Sequence, residues 1–244
     1  MPTPAATILG HLATVGTERA RRAADPGLAD AVQRIKHYQQ RRFANTYADL
    51  LAAARYRPAA QFFLDELYGP RDFSQRDSQF ERVVPALVRV FPLAIVATVA
   101  TLAALHALSE QLDSAMAAQL QPAAPLDAAA YAQAWQASAE PARRERQIEL
   151  TLEVGRSLDG LTRHLLVRNS LRLMRGPARA AGLGELQAFL ESGFETFRAM
   201  RGAQDFLEMI DAREHRLNRA LFDADPRAPD VGLLALLPDL PPAA

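Results

Sequence analysis

Twenty consecutive residues, Val90 to Ser109, carry no charge between Arg89 and Glu110. As a helix that run is about 30 Å long, the depth of a bilayer's hydrocarbon core and also the width of a small domain. Either it crosses a membrane or other helices surround it. Nine of the twenty are Val, Leu, Ile or Phe, six are Ala, and Pro92, Thr98, Thr101 and His106 dilute the run. That dilution favours the central helix of a bundle, because the remaining segments are amphipathic and need a buried partner. Met1 to Gly16 lacks the basic cluster and unbroken apolar run of a secretion signal. The expectation is a cytoplasmic protein with no membrane contact.

The apolar period is helical almost throughout, with no alternating β-branched run that would build a sheet. Leu28, Val32, Ile35, Phe43, Tyr47, Leu50 and Ala54 share one stripe of a first long helix that stops before Pro58. A short helix follows through Phe62, Phe63 and Leu67, and Tyr68-Gly69-Pro70 ends it. Ser74 with Asp77, or Asp72 just before, is placed to cap the next helix. A kink or break is expected at both Pro85 and Pro92. The central helix runs from Pro92 towards Gln121, and Asp127 caps a helix holding Tyr131 and Trp135. Pro141 starts a long helix reaching Arg175, where Gly176-Pro177 stops it. Leu186 to Met200 and Phe206 to Leu221 are expected to form an antiparallel hairpin across Gly202.

This reads as an all-α chain: one bundle of about eight or nine helices over residues 25–222, an N-terminal segment (1–24) that is partly helical, and a Pro-rich tail (223–244). The 49% share of hydrophobic residues suffices for a sizeable core.

Composition removes several classes of function. The 28 basic and 28 acidic residues cancel, which argues against nucleic acid, since that binding needs a basic excess to displace counterions. All the basic residues but Lys36 are Arg. There is no cysteine, hence no disulfide, thiolate metal site or thiol nucleophile. Glycine-rich phosphate loops, the Gly-x-Ser-x-Gly elbow and His-Glu-x-x-His are all lacking.

Three constellations remain. His106, Glu110 and Asp113 lie at i, i+4 and i+7, and Glu208, Asp211 and His215 at i, i+3 and i+7. Converging, the two faces would offer ligands to a transition metal, but the Glu-x-x-His pairs of di-iron bundles do not occur. Neither a metal nor a cofactor is therefore expected. His164, Arg168, Arg172, Arg175 and Arg179 form a basic stripe, able to hold an anion or to pair with Glu191 and Glu195. The turn after Tyr68 crowds Arg71, Asp72, Arg76 and Asp77 beside Phe62, Phe63, Phe73 and Phe80, as a ligand cleft or a paired helix corner would.

Two stretches carry a resemblance. Phe62 to Asp77 (FFLDELYGPRDFSQRD) and Met174 to Leu183 (MRGPARAAGL), the latter followed by the Leu186–Met200 helix, resemble an uncharacterised bacterial family of helical proteins. The resemblance spans roughly Tyr56 to Phe222. It implies a bacterial helical protein and transfers no functional residue.

Three functions fit these readings. The first is a non-catalytic helical module that binds a protein partner or supports assembly, a second copy of itself being one such partner, with the apolar stretch Val231 to Leu237 as a docking element. The second is an enzyme or binder of a small anionic ligand in an inter-helical pocket, using Tyr68, Arg71, Asp72, Arg76, Asp77, Arg168, Arg172 and Arg175. The third is a metal bundle built on the histidine faces.

Overall fold

The computed structural model describes residues 2–66, 73–121, 124–138, 140–225 and 237. Eleven helices occur among the described residues: α1 (Pro4–Ala24), α2 (Pro26–Thr46), α3 (Ala48–Ala52), α4 (Arg57–Glu66), α5 (Ser74–Val90), α6 (Leu93–Ala117), α7 (Ala128–Ser138), α8 (Pro141–Thr162), α9 (Leu165–Ala180), α10 (Gly184–Ala199) and α11 (Gln204–Asp223). They take up 85% of those residues, none of which lies in a strand, so the chain is all-α.

Caps and prolines set most of the starts. The Thr3 hydroxyl accepts from the Ala6 amide at 3.3 Å with Pro4 opening α1, and the Asp25 carboxylate accepts from the Leu28 amide at 3.0 Å with Pro26 opening α2. Asp127 caps α7 through the Ala130 amide at 2.8 Å. Phe73 occupies the N-cap of α5 without a side-chain bond; Asp77 points elsewhere.

Several boundaries differ from the sequence expectation, and each has a physical cause. The long helix expected over 141–175 is broken at His164, where the backbone leaves the helical region, and α9 then continues through Gly176-Pro177 to Ala180. Beyond the break, Val167, Leu171, Met174 and Ala178 recur at i, i+4, i+7 and i+11 on α9 as a stripe of their own. α5 likewise continues through Pro85, its inner face of Phe80, Val84 and Leu87 held against its neighbours. A break does fall at Pro92. The first long helix divides at Tyr47 into α2 and α3, and the N-terminal segment is a full helix with Ile8, Leu12 and Val15 buried. These divisions raise the helix count above the expected eight or nine.

The expected hairpin of the last two helices does not form. Arg201 and Gly202 both have positive φ, 55° and 113°, and this turn swings α11 away from α10 to lie against α8 and α7. The α8–α11 contact is close. A Cβ added at Gly155 would sit 2.5 Å from a Leu207 methyl.

α6 is the middle of the assembly, with α1, α2 and α8 along it. It is also the one helix among the described residues long and apolar enough to cross a membrane, with a third of its most apolar window buried. Its first turns keep an open side, Leu93 being 80% exposed, whereas Leu112 to Ser114 and Met116 are buried. The buried apolar side chains fall into separate clusters. One joins Tyr38, Met116, Tyr131, Trp135 and Leu217; another joins Phe43, Phe63, Leu152, Phe197 and Phe206; a third joins Leu12, Phe80, Val84 and Val99. Polar residues and hollows lie between these clusters.

Candidate functional site

The charge-free part of α6 ends at Glu110, and its carboxylate faces inward. Buried carboxylates need partners, and two come from the first two helices. Arg22 of α1 forms an ion pair with Glu110, also donates to the Glu110 carbonyl at 2.7 Å, and reaches the Ser114 hydroxyl at 2.8 Å. Lys36 of α2 donates to Glu110 at 2.6 Å and stands 3.8 Å from Asp113. Burial pushes the Glu110 carboxyl up, but Lys36 and Arg22 overcome that and hold it down at about 2. At Asp113 the balance is reversed. Burial raises its carboxyl and the more distant Lys36 only partly opposes it, while Gln39 donates to it at 3.2 Å.

One turn earlier on α6, His106 bonds Asp77 through Nε2 at 2.7 Å. Asp77 also pairs with Arg19 at 2.5 Å and lies 3.6 Å from Arg76. Burial pushes the Asp77 carboxyl up; His106, Arg19 and Arg76 outweigh it and leave the carboxyl below its usual range. Arg76 meets Glu66 at 3.4 Å and lies over the rings of Phe73 and Phe189. Five helices thus contribute to one ionic layer: α1, α2, α4, α5 and α6.

This layer forms one wall of a cleft of about 100 Å³, bordered by Lys36, Arg76, Asp77, His106, Glu110 and Asp113. The opposite wall, which includes Phe80, Leu102, Leu105, Leu186 and Phe189, also bounds a larger chamber of about 170 Å³. The chamber is lined by Phe62 of α4, Leu87 of α5, Val154 of α8, Leu171 and Met174 of α9 and Phe194 of α10. Its few polar walls are satisfied internally: Thr98 donates to the Ala94 carbonyl, Thr151 to the Gln147 carbonyl and Gln187 to the Leu171 carbonyl. Together the hollows offer an apolar body site and a polar end. The Asp77–His106 pair is an arrangement that orients a histidine for proton transfer.

The sequence candidates separate into three sets. Arg76 and Asp77 stand on the polar wall. Arg168 and Arg172 lie 3.5 and 3.7 Å from Glu195, and Arg175 bonds Glu191 at 2.7 Å, so these three form an ion-pair seam with α10 on the outer side of the helix whose inner side closes the chamber. Tyr68, Arg71 and Asp72 lie outside the described residues. His215 pairs with Glu145 and Asp211, away from the partners of His106, and no group of three or more potential metal ligands occurs among the described residues. Sequence reasoning missed Arg19, Arg22 and Lys36 as site residues. A usable signal existed: two carboxylates one turn apart at the end of a charge-free helix require buried cations, and Lys36 is the one lysine in an arginine-rich chain.

Residues 18–228 match the family described as a domain of unknown function, DUF8198. The chain belongs to that family. The matched region contains the whole ionic layer, from Arg19 and Arg22 to Asp113, and every helix that walls the chamber. No curated protein and no solved structure matches the chain.

Proposed function

We propose that this DUF8198 chain binds a small amphiphile between its helices, with the apolar body in the α5–α6–α8–α9–α10 chamber and the polar end against the ionic layer. The observation that carries this reading is the chamber itself. An engineered apolar cavity of about 150 Å³ holds benzene, so 170 Å³ takes an apolar body of roughly six to eight carbons. The chamber's walls are almost wholly apolar, so water gains few hydrogen bonds there, and an occupant that covers them removes that apolar surface from water.

The partner-docking alternative leaned on the tail from Val231 to Leu237. Residues 231–236 lie outside the described residues, and Leu237 is buried beside Trp135 and Leu221 in the protein's own core. The pocket reading is therefore the stronger.

Titration of the full chain with the fluorescent apolar probe N-phenyl-1-naphthylamine tests it. One saturable site, competed by decanoate or decanol and lost in Val154→Phe, is the expected result. Absence of saturable binding, or binding that Val154→Phe leaves unchanged, overturns it.

A further inference from the structure

Behind the polar cleft lies a third hollow of about 40 Å³, bounded by Tyr131 and Trp135 of α7, Arg144 of α8, Arg42 of α2, and Glu214 and Asn218 of α11. Arg144 is the residue without an ordinary explanation. It is 1% exposed, it sits in the first turn of α8 where the helix dipole disfavours a cation, and among the described residues no carboxylate lies within ion-pairing distance of it. Buried charges are normally paired.

Its contacts account for only one edge of the guanidinium. Nη1 donates to the Gln147 side chain at 3.1 Å and the flat face lies 3.7 Å from the centre of the Trp135 ring. Nε and Nη2 are both buried with no partner. Those two nitrogens share the side of the fork that takes the two oxygens of a carboxylate in parallel. Two further donors on the walls, the Tyr131 hydroxyl and the Trp135 indole nitrogen, are also buried and unsatisfied. Arg42 and Glu214 neutralise one another at 2.6 Å, and Asp113 acts on Arg144 only from beyond ion-pairing distance, so the recess keeps a positive charge with no bonded counter-ion. Its volume equals about three waters, the number of heavy atoms in a carboxylate group.

We infer that this recess is a binding site for a compact monovalent oxyanion, a carboxylate above all, held side-on by Arg144 with the Tyr131 hydroxyl and the Trp135 indole as supporting donors. The Asn218 carbonyl oxygen, unsatisfied as well, accepts from a water or hydroxyl that enters with it. The carboxylate has two sources, a free small acid or the acid end of an amphiphile. Gln39, Gln147 and Thr151 border both this recess and the polar cleft, so a ligand lying in the cleft is separated from Arg144 by side chains alone. Only this second source rests on the amphiphile reading.

Trp135 is the chain's single tryptophan, which makes its emission a reporter for this recess. The full chain is titrated with formate and with decanoate at fixed pH, ionic strength being held with sodium sulfate. The expected result is a saturable change in emission with formate and a higher melting temperature in its presence. Arg144→Met loses both, and Tyr131→Phe, which removes one hydroxyl, weakens formate binding several-fold at unchanged helix content. Decanoate saturating at least tenfold lower than formate, with that advantage lost in Val154→Phe, assigns the site to the acid end of an amphiphile. Equal affinities assign it to a free acid. Emission that changes linearly with formate, and equally in wild type, Arg144→Met and Tyr131→Phe, overturns the proposal and leaves a recess holding water only. Binding of N-phenyl-1-naphthylamine by Arg144→Met keeps failure of this site distinct from failure of the chamber.

Discussion

Glu110 and Asp113 show how two carboxylates one turn apart on the same helix acquire opposite energetics from their neighbours. Glu110 is gripped by Arg22 and Lys36, and its folded-state carboxyl is held at about 2 against an ordinary 4.5. A depressed carboxyl contributes stability that is complete above the unfolded-state value and is lost as pH falls through the folded-state value. That contribution, about 3 kcal/mol at neutral pH, is therefore expected to disappear between about pH 4.5 and pH 2. Asp113 has the reverse sign: its raised carboxyl costs stability when ionised, and the cost is relieved as pH falls through its folded-state value. Glu110→Gln should accordingly lower unfolding free energy by about 3 kcal/mol at pH 7. Asp113→Asn, which keeps an acceptor for Gln39, should be neutral or stabilising. Urea denaturation of both variants at pH 7 checks the pair. Equal losses in the two would show that Lys36 and Arg22 serve both carboxylates alike.

Among the elements, α5 carries the clearest conflict between local and tertiary preference. Pro85 lies within the helix, removing one backbone donor and crowding the preceding turn, yet α5 runs unbroken from Ser74 to Val90. Its side chain is exposed, so packing does not require it. Pro85→Ala is expected to raise stability by about 1–3 kcal/mol, read as a higher denaturation midpoint at unchanged slope; a loss would mean that the ring fixes a bend which α1 and α10 need. The same competition explains which elements were legible in the sequence. Asp127 before α7 and Asp25-Pro26 before α2 are local signals, and the structure follows them. Gly176-Pro177 is also a local signal, but it is overridden because Ala178, one residue further on, is buried as a wall of the chamber. The break at His164 has no Pro or Gly at the break itself, Gly160 lying one turn earlier within α8, and the turn at Arg201-Gly202 marks an end without telling which helix the next one will meet. The ionic layer was legible in part. Arg76 and Asp77 stood out by local crowding, whereas Arg19 and Arg22 reach the site from α1, more than fifty residues earlier in the chain, which spacing alone does not reveal.

For the whole molecule, the issue is whether an all-helical bundle tolerates a hollow between its core clusters. If the chamber persists in solution, Val154→Phe fills roughly a third of it and should raise unfolding free energy by about 1 kcal/mol. The same variant should lose probe binding, because the added ring occupies the ligand's place. If the helices instead close over the space when it is empty, Phe at this position overpacks a core that is already full, and stability should fall by about 1–3 kcal/mol. The two outcomes differ in sign, so modest precision in a denaturation experiment separates them. A ligand acts on wild type as the ring acts on the variant: at a hundredfold excess over its dissociation constant it stabilises by about 2.7 kcal/mol. Decanol, which has no carboxylate for Arg144, should therefore raise the melting temperature of wild type and leave that of Val154→Phe unmoved. A variant less stable than wild type that still binds the probe would place the ligand elsewhere and refute a persistent chamber.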